Sequence, residues 1–184
     1  MITERAKASF DRLLQSALRS GVPVDGGRLD IETVQTLDKV KDKKFVVLTV
    51  SSYLFRLMAT LHFKPDAATR AYFGRGADEG TAPLNDEEFL DRIAECGNVF
   101  CGSLNRELGR HFPHVGMSTP NIIDKDCLRY VDLLGCELVR HYRLRVSDEL
   151  TLHASLCVTA YGKVDFHAEE AAEQEISTGE LEMF

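Results

Sequence analysis

The sequence predicts an α+β domain, an antiparallel sheet with long helices packed on it, and three observations carry that reading. The β-branched run FVVLTV from Phe45 is broken by Ser51 and Ser52 and resumes as LFRLMATLHF, the pattern of two paired strands. Residues 136–146 and 150–161 are rich in Val, Leu and Tyr around a Ser147-Asp148 turn, which predicts a closing hairpin. Apolar side chains at helical spacing mark one helix before the first strand pair and another between the two pairs. Hairpins outnumber crossovers, so the winding is not of the Rossmann type.

Taken in order, Ala6, Phe10, Leu13, Leu14, Ala17 and Leu18 form the apolar stripe of a helix over residues 3–20 that stops at Gly21. The PVDGG run that follows is a turn. Residues 29–40 fit a strand or a short helix, with Ile31 and Val34 as the apolar positions. After the first strand pair, Lys64 to Tyr72 reads as a helix with Pro65 in its first turn and Asp66 near its positive end. GRGADEGTAPL, residues 74–84, is a glycine-dense loop without the G-x-x-x-x-G-K of a phosphate loop. A long helix begins near Asn85, an N-cap residue followed by Asp86, Glu87 and Glu88, and stops before Pro113 at about His111. Pro120 then opens the short apolar stretch NII.

A chain of 184 residues fits one domain, here residues 1–166, with residues 167–184 as an acidic tail or helical extension. That tail holds six glutamates and no Lys or Arg. Setting it aside leaves 22 basic against 23 acidic side chains, so the formal charge of −7 belongs to the tail and the body is nearly neutral. Nucleic acid is therefore not an expected partner, because neutralising phosphates takes a basic stripe. No apolar run approaches the roughly 20 residues of a membrane span, and MITERAKASF has no signal-peptide core. A cytoplasmic location without membrane contact is expected. The five cysteines, Cys96, Cys101, Cys127, Cys136 and Cys157, have no C-x-x-C pair or finger spacing. Most of them read as small buried hydrophobes, and the set does not read as a disulfide framework or zinc site.

The informative segment is DRIAECGNVFCGSLNREL, residues 91–108. At about 100° per residue, Asp91, Glu95, Asn98, Gly102 and Asn105 fall within an arc of about 80°. Phe89, Leu90, Ile93, Cys101, Leu104 and Leu108 cluster on roughly the opposite side, so the polar stripe faces away from the core. Ordinary solvent faces mix Lys, Arg and Glu at ion-pair spacing. This one combines carboxylates with two amides and a mid-helix glycine that costs roughly 1 kcal/mol relative to alanine. Such a glycine on an exposed face predicts that something approaches closely there. A carboxamide presents donor and acceptor together and can hold a water in a defined orientation, and a carboxylate can pair with a partner's ammonium. Neither is a strong nucleophile or a metal cage. The pair suits hydrolysis of a bond that another protein's metal already activates, where positioning is the main contribution left to make.

Asp91, Glu95 and Asn98 in the order D-x-x-x-E-x-x-N, then Gly102, then Pro120 after a spacing of 22, resemble the motif of the CheC/CheX/FliY phosphatases of response regulators. The resemblance spans about residues 1–165 in element order and is detailed only in the motif helix and Pro120. It implies a CheC/CheX-like fold and hydrolysis of the aspartyl phosphate of a CheY-like response regulator. Glu95 would engage the regulator's active-site lysine and Asn98 would orient the attacking water. Asp91 would support the motif helix or the docking surface, Gly102 and Asn105 would be supporting or partner-binding positions beside it, and Pro120 would fix the strand or turn beside the motif. The chain would bind no cofactor of its own, the Mg²⁺ being the regulator's, and would form a homodimer through sheet edges. CheC-type members often carry two copies of the motif; the single E-x-x-N here is closer to CheX. The competing reading is a non-catalytic module that binds a regulator, as related folds do in the flagellar switch.

Three other groups carry less. His111 and His114 lack a third ligand at local spacing and read as a surface loop. Cys96 and Cys101 have no basic neighbour to form a thiolate and read as helix packing. Arg140, His141, Arg143 and Arg145 make a short basic strand that faces solvent or meets an acidic partner surface or the acidic tail.

Overall fold

The computed structural model describes residues 1–22, 24, 29–38, 40–74, 84–148 and 150–169. The PVDGG turn, most of the glycine-dense loop and the acidic tail beyond Glu169 lie outside the described residues, wholly or in large part.

Helix α1, Glu4–Gly21, starts where the Thr3 hydroxyl accepts from the Ala6 amide, and it buries the expected stripe from Ala6 to Leu18. Its last residue is fixed by packing. A Cβ on Gly21 would stand 2.7 Å from the backbone nitrogen of Phe100, so only glycine lets the end of α1 meet the later helix. Strands β2, Lys44–Ser51, and β3, Phe55–Phe63, pair antiparallel from Lys44↔Phe63 to Ser51↔Arg56. Strands β6, Leu138–Arg145, and β7, Thr151–Ala160, form the second hairpin. The ambiguous segment is a strand: β1, Asp30–Val34, pairs with β6 and sets Ile31 against Leu144. The acidic groups beside the basic strand are thus those of β1, which the sequence did not suggest: Arg143 bonds Glu32 at 2.9 Å and Arg145 lies 3.5 Å from Asp30.

Helix α2, Ala67–Phe73, is capped by Asp66, whose carboxylate accepts from the Thr69 amide at 3.0 Å and its hydroxyl at 2.9 Å. Pro65 therefore precedes the cap and does not occupy the first turn, as the sequence suggested. Helix α3, Asp86–Gly109, follows. Strands β4, Gly116–Met117, and β5, Asn121–Asp124, lie on the outer edge of β2, giving the order β1-β6-β7-β3-β2-β4 with β5 also on β2. A 3-10 stretch, Lys125–Leu134, ends at Gly135 in the left-handed region. None of its residues is fully buried, so the sequence offered no core-facing stripe to announce it.

Alternation along the strands gives the sheet two unlike faces. Val46, Leu48, Leu57, Leu61, Leu156 and Val158 build the aliphatic core on one face, with α1 and α3 over it. The other face carries Phe45, Thr60, His62, Ser155 and Cys157, all buried. Near it, Lys125 ties down the preceding loop, its ammonium bonding the carbonyls of Leu37, at 3.5 Å, and Val40. Packing continues past β7: Phe166 meets Phe10 and Phe112 edge-on, each at 4.9 Å, and the Ala168 amide donates to the Ser9 hydroxyl at 3.0 Å.

Candidate active site

Helix α3 opens with a capping box. The Asn85 side chain accepts from the Glu88 amide at 3.0 Å, and the Glu88 carboxylate accepts from the Asn85 amide at 2.9 Å. This start sets the rotation of everything downstream. Phe89, Ile93, Cys96, Phe100, Cys101, Leu104 and Leu108 are buried. Gly97 sits among them, and a Cβ there would lie 2.9 Å from Val46 Cγ1 and 3.0 Å from Leu48 Cδ1. The helix thus rests close on β2 with its polar stripe turned outward. Gly97 and Gly21 are the glycines that packing requires. The sequence marked Gly21 only as a helix stop and gave no sign of Gly97, because the close packing at each is explained only by an atom far away along the chain.

The stripe emerges as expected. Asp91 and Glu95 are exposed, and Asn98, Gly102 and Asn105 are half-buried along the same face. Glu95 and Asn98 touch: Asn98 Nδ2 donates to Glu95 Oε2 at 3.2 Å. That bond holds the carboxamide while Glu95 Oε1 and Asn98 Oδ1 make no hydrogen bond among the described residues. Nothing lies within 4 Å of a Cβ built on Gly102, so the fold itself does not demand glycine there. The Asn105 Oδ1 is covered yet unpartnered among the described residues, a polar requirement left open on the same face. Val99, which the sequence reading passed over, is 46% exposed beside Asn98. Its signal was an apolar residue on the polar side of the wheel.

Pro120 lies on the sheet edge, between β4 and β5, both of which touch α3. Met117 pairs with Val50 and Asn121 with Val47, so Ser118, Thr119 and Pro120 face only Leu48 and Thr49, a bulge. Pro120 has no N–H to give the ladder. Ser118 supplies the contact instead, its hydroxyl accepting from the Thr49 amide at 3.0 Å and its amide donating to the Thr49 carbonyl at 2.9 Å.

The neighbouring thiols are packing groups. Cys96 Sγ donates to the Gly21 carbonyl at 3.2 Å, and burial, reinforced by the Glu95 charge, pushes this thiol up to about 12. Burial does the same for Cys101. The His111 ring leans on Phe166 at 5.1 Å, and no group of three His, Cys, Asp or Glu among the described residues can hold a metal ion. Nor is any helix among the described residues long and apolar enough to cross a membrane.

Solved structures share this architecture. A CheC-like superfamily protein from Shewanella sp. PV-4 superposes with a TM-score of 0.61 at 12% identity, over 82% of this chain and 97% of that one. The chemotaxis protein CheX from Vibrio vulnificus gives 0.61 at 15% identity, over 82% and 99%. The chain has the CheC/CheX fold. The CheX–CheY–BeF3–Mg²⁺ complex from Borrelia burgdorferi also matches, with a TM-score of 0.57 at 16% identity over 82% of this chain and 96% of that one. No protein-family model and no curated protein sequence matches the chain. At these identities the likeness is one of fold.

Proposed function

We propose that this protein is a phosphatase for the aspartyl phosphate of a CheY-like response regulator, acting through Glu95 and Asn98. The observation that carries the reading is the hydrogen-bonded Glu95–Asn98 pair, turned outward on α3 with one acceptor oxygen unused on each side chain. A fold shared with a CheX that forms a complex with CheY, BeF3 and Mg²⁺ supports the same partner class.

In this reading Glu95 Oε1 receives the ammonium of the regulator's lysine and sets the docking register. Asn98 reaches the phosphorylated carboxylate, and its Oδ1 accepts a proton of a water aimed at phosphorus. The water oxygen forms the new P–O bond, the acyl-phosphate P–O bond breaks, and the products are the regulator's free carboxylate and inorganic phosphate. Charge on the phosphoryl group is managed by the Mg²⁺ that the regulator brings. In the first two turns of α3, Glu87 and Asp91 present an acidic approach to a basic partner surface, while Asp86 is paired with Arg70 and Glu88 with the Asn85 amide. Asp91 supports docking, and Val99 and Gly102 offer an apolar edge and a flat spot where a partner's chain can come close. A homodimer with two outward-facing sites belongs to the same proposal.

The test is the rate of phosphate loss from phosphorylated, Mg²⁺-loaded CheY-like regulators with wild-type protein, Glu95→Ala and Asn98→Ala. Asn98→Ala should lose about 100-fold of the acceleration, the order seen when one positioned polar group is removed, while binding persists. Glu95→Ala should weaken binding as well. If regulators bind and no rate changes, the protein is a binding module; if none binds, both readings fail.

A further inference from the structure

At one end of the sheet, on the face opposite α1 and α3, three separate segments line an open cleft of about 420 Å³. Lys41 and Asp42 come from the loop before β2, Lys64 and Asp66 from the turn after β3, and Thr151 and His153 from the start of β7. That volume falls within the range of small-ligand sites, and the polar groups on its wall are not equivalent.

The carboxylates are already engaged. Asp42 Oδ2 accepts from His153 Nδ1 at 2.7 Å, in a pair whose side chains are 4% and 12% exposed. Asp66 Oδ1 is taken by the Thr69 amide and hydroxyl at the start of α2. Neither Lys41 nor Lys64 enters a hydrogen bond or salt bridge among the described residues, although, against the opposing effect of burial, the Thr69 hydrogen bonds and then the Lys64 charge hold the Asp66 carboxyl below its ordinary range. A carboxylate held on Nδ1 fixes the imidazole's orientation and balances positive charge on it. The His153 ring is therefore locked in the cleft wall, with its Nε2 unclaimed among the described residues and two ammonium groups on the same cleft.

We infer that this cleft is a binding site for a small tetrahedral oxyanion, the phosphate group of a metabolite or free phosphate, held by Lys41, Lys64 and Nε2 of His153 with Asp42 as the positioning residue. An anion here gives both ammonium groups a partner and meets the His153 ring at Nε2, with Asp42 holding the ring from Nδ1. A divalent cation is the poorer occupant, since it would meet two lysines and would have to displace His153 or the Thr69 amide to reach a carboxylate. The site is remote from the Glu95–Asn98 face, and its occupancy does not depend on the phosphatase reading.

The experiment is a titration with inorganic phosphate, and separately with glycerol phosphate, at constant ionic strength with chloride as the control. The ring resonances of His153 are followed by NMR, and no response regulator is present. A saturable shift is expected. It should need about tenfold more phosphate in the Lys41→Ala/Lys64→Ala double variant, and phosphate binding followed by calorimetry should be lost in a His153→Gln protein whose circular dichroism matches wild type. Tighter binding of glycerol phosphate would assign a phosphate ester, and equal binding the free ion. No saturable shift, the same shift in chloride, or an unchanged titration in the double variant overturns the proposal.

Discussion

Two regions of this molecule are rich in polar side chains, and they treat them in opposite ways. On the far face of the sheet Thr60, His62, Ser155 and His141 form a chain: Thr60 Oγ1 lies 2.8 Å from His62 Nε2, which lies 3.2 Å from Ser155 Oγ, which lies 2.8 Å from His141 Nδ1. Each group answers another, as burial requires. On α3 the Glu95–Asn98 pair keeps one acceptor unused on each side chain at the surface. Polar groups satisfied within the fold hold the structure together, whereas those left open are available to a partner. The two mid-helix glycines of α3 repeat the lesson, since Gly97 is pressed on β2 and Gly102 faces open space.

Acid should separate the two regions most strongly. Burial lowers the His62 pKa from 6.5 to about 4, with His153, His141 and Lys125 adding to the effect and Asp42 opposing it. Burial lowers His141 as well, against the opposing charge of Asp38. Because the folded state holds the neutral imidazole, the unfolded chain binds more protons between these values. Stability is therefore full above about pH 6.5 and falls as pH drops toward 4, by about 3 kcal/mol for His62 alone. Urea melts across that range should show the loss, and a His62→Gln protein should show a shallower one; an equal slope would remove His62 from the account. Next in size, Asn98→Ala should lose about 100-fold in regulator dephosphorylation while its urea midpoint stays within about 0.5 kcal/mol of wild type. A large stability loss would mean that the stripe is structural after all.

The glycines give the smaller contrasts. Gly21→Ala drives a methyl into the backbone of Phe100, which cannot swing aside as a side chain can, and should cost about 2 kcal/mol or more in thermal melts. Gly102→Ala meets nothing within 4 Å and should stabilise the protein by about 0.5–1 kcal/mol. The same change should weaken regulator binding, because the methyl stands where the partner approaches. If Gly102→Ala raises the melting temperature and leaves binding unchanged, the open glycine has no docking role.

Much of this was legible in the amino-acid sequence because its signals are local. The Asn85 cap with its acidic first turn, the β-branched runs broken at Ser51-Ser52 and the apolar stripe of α1 each act over a few residues. So does the helical spacing that puts Asp91, Glu95, Asn98, Gly102 and Asn105 on one face, and all of these agree with the structure. What the tertiary structure decided depends on residues far apart in the chain. The role of β1 came from acidic partners for Arg143 and Arg145, 111 positions on in the case of Glu32 and Arg143. The His153–Asp42 pair spans 111 positions and the His62–Ser155 contact 93. Gly21 and Gly97 are explained only by Phe100, Val46 and Leu48, and the bulge at Pro120 only by its register against β2. Helical and strand periodicity follow from the geometry of neighbouring residues, but close approach, register and buried polar pairing are properties of two segments at once.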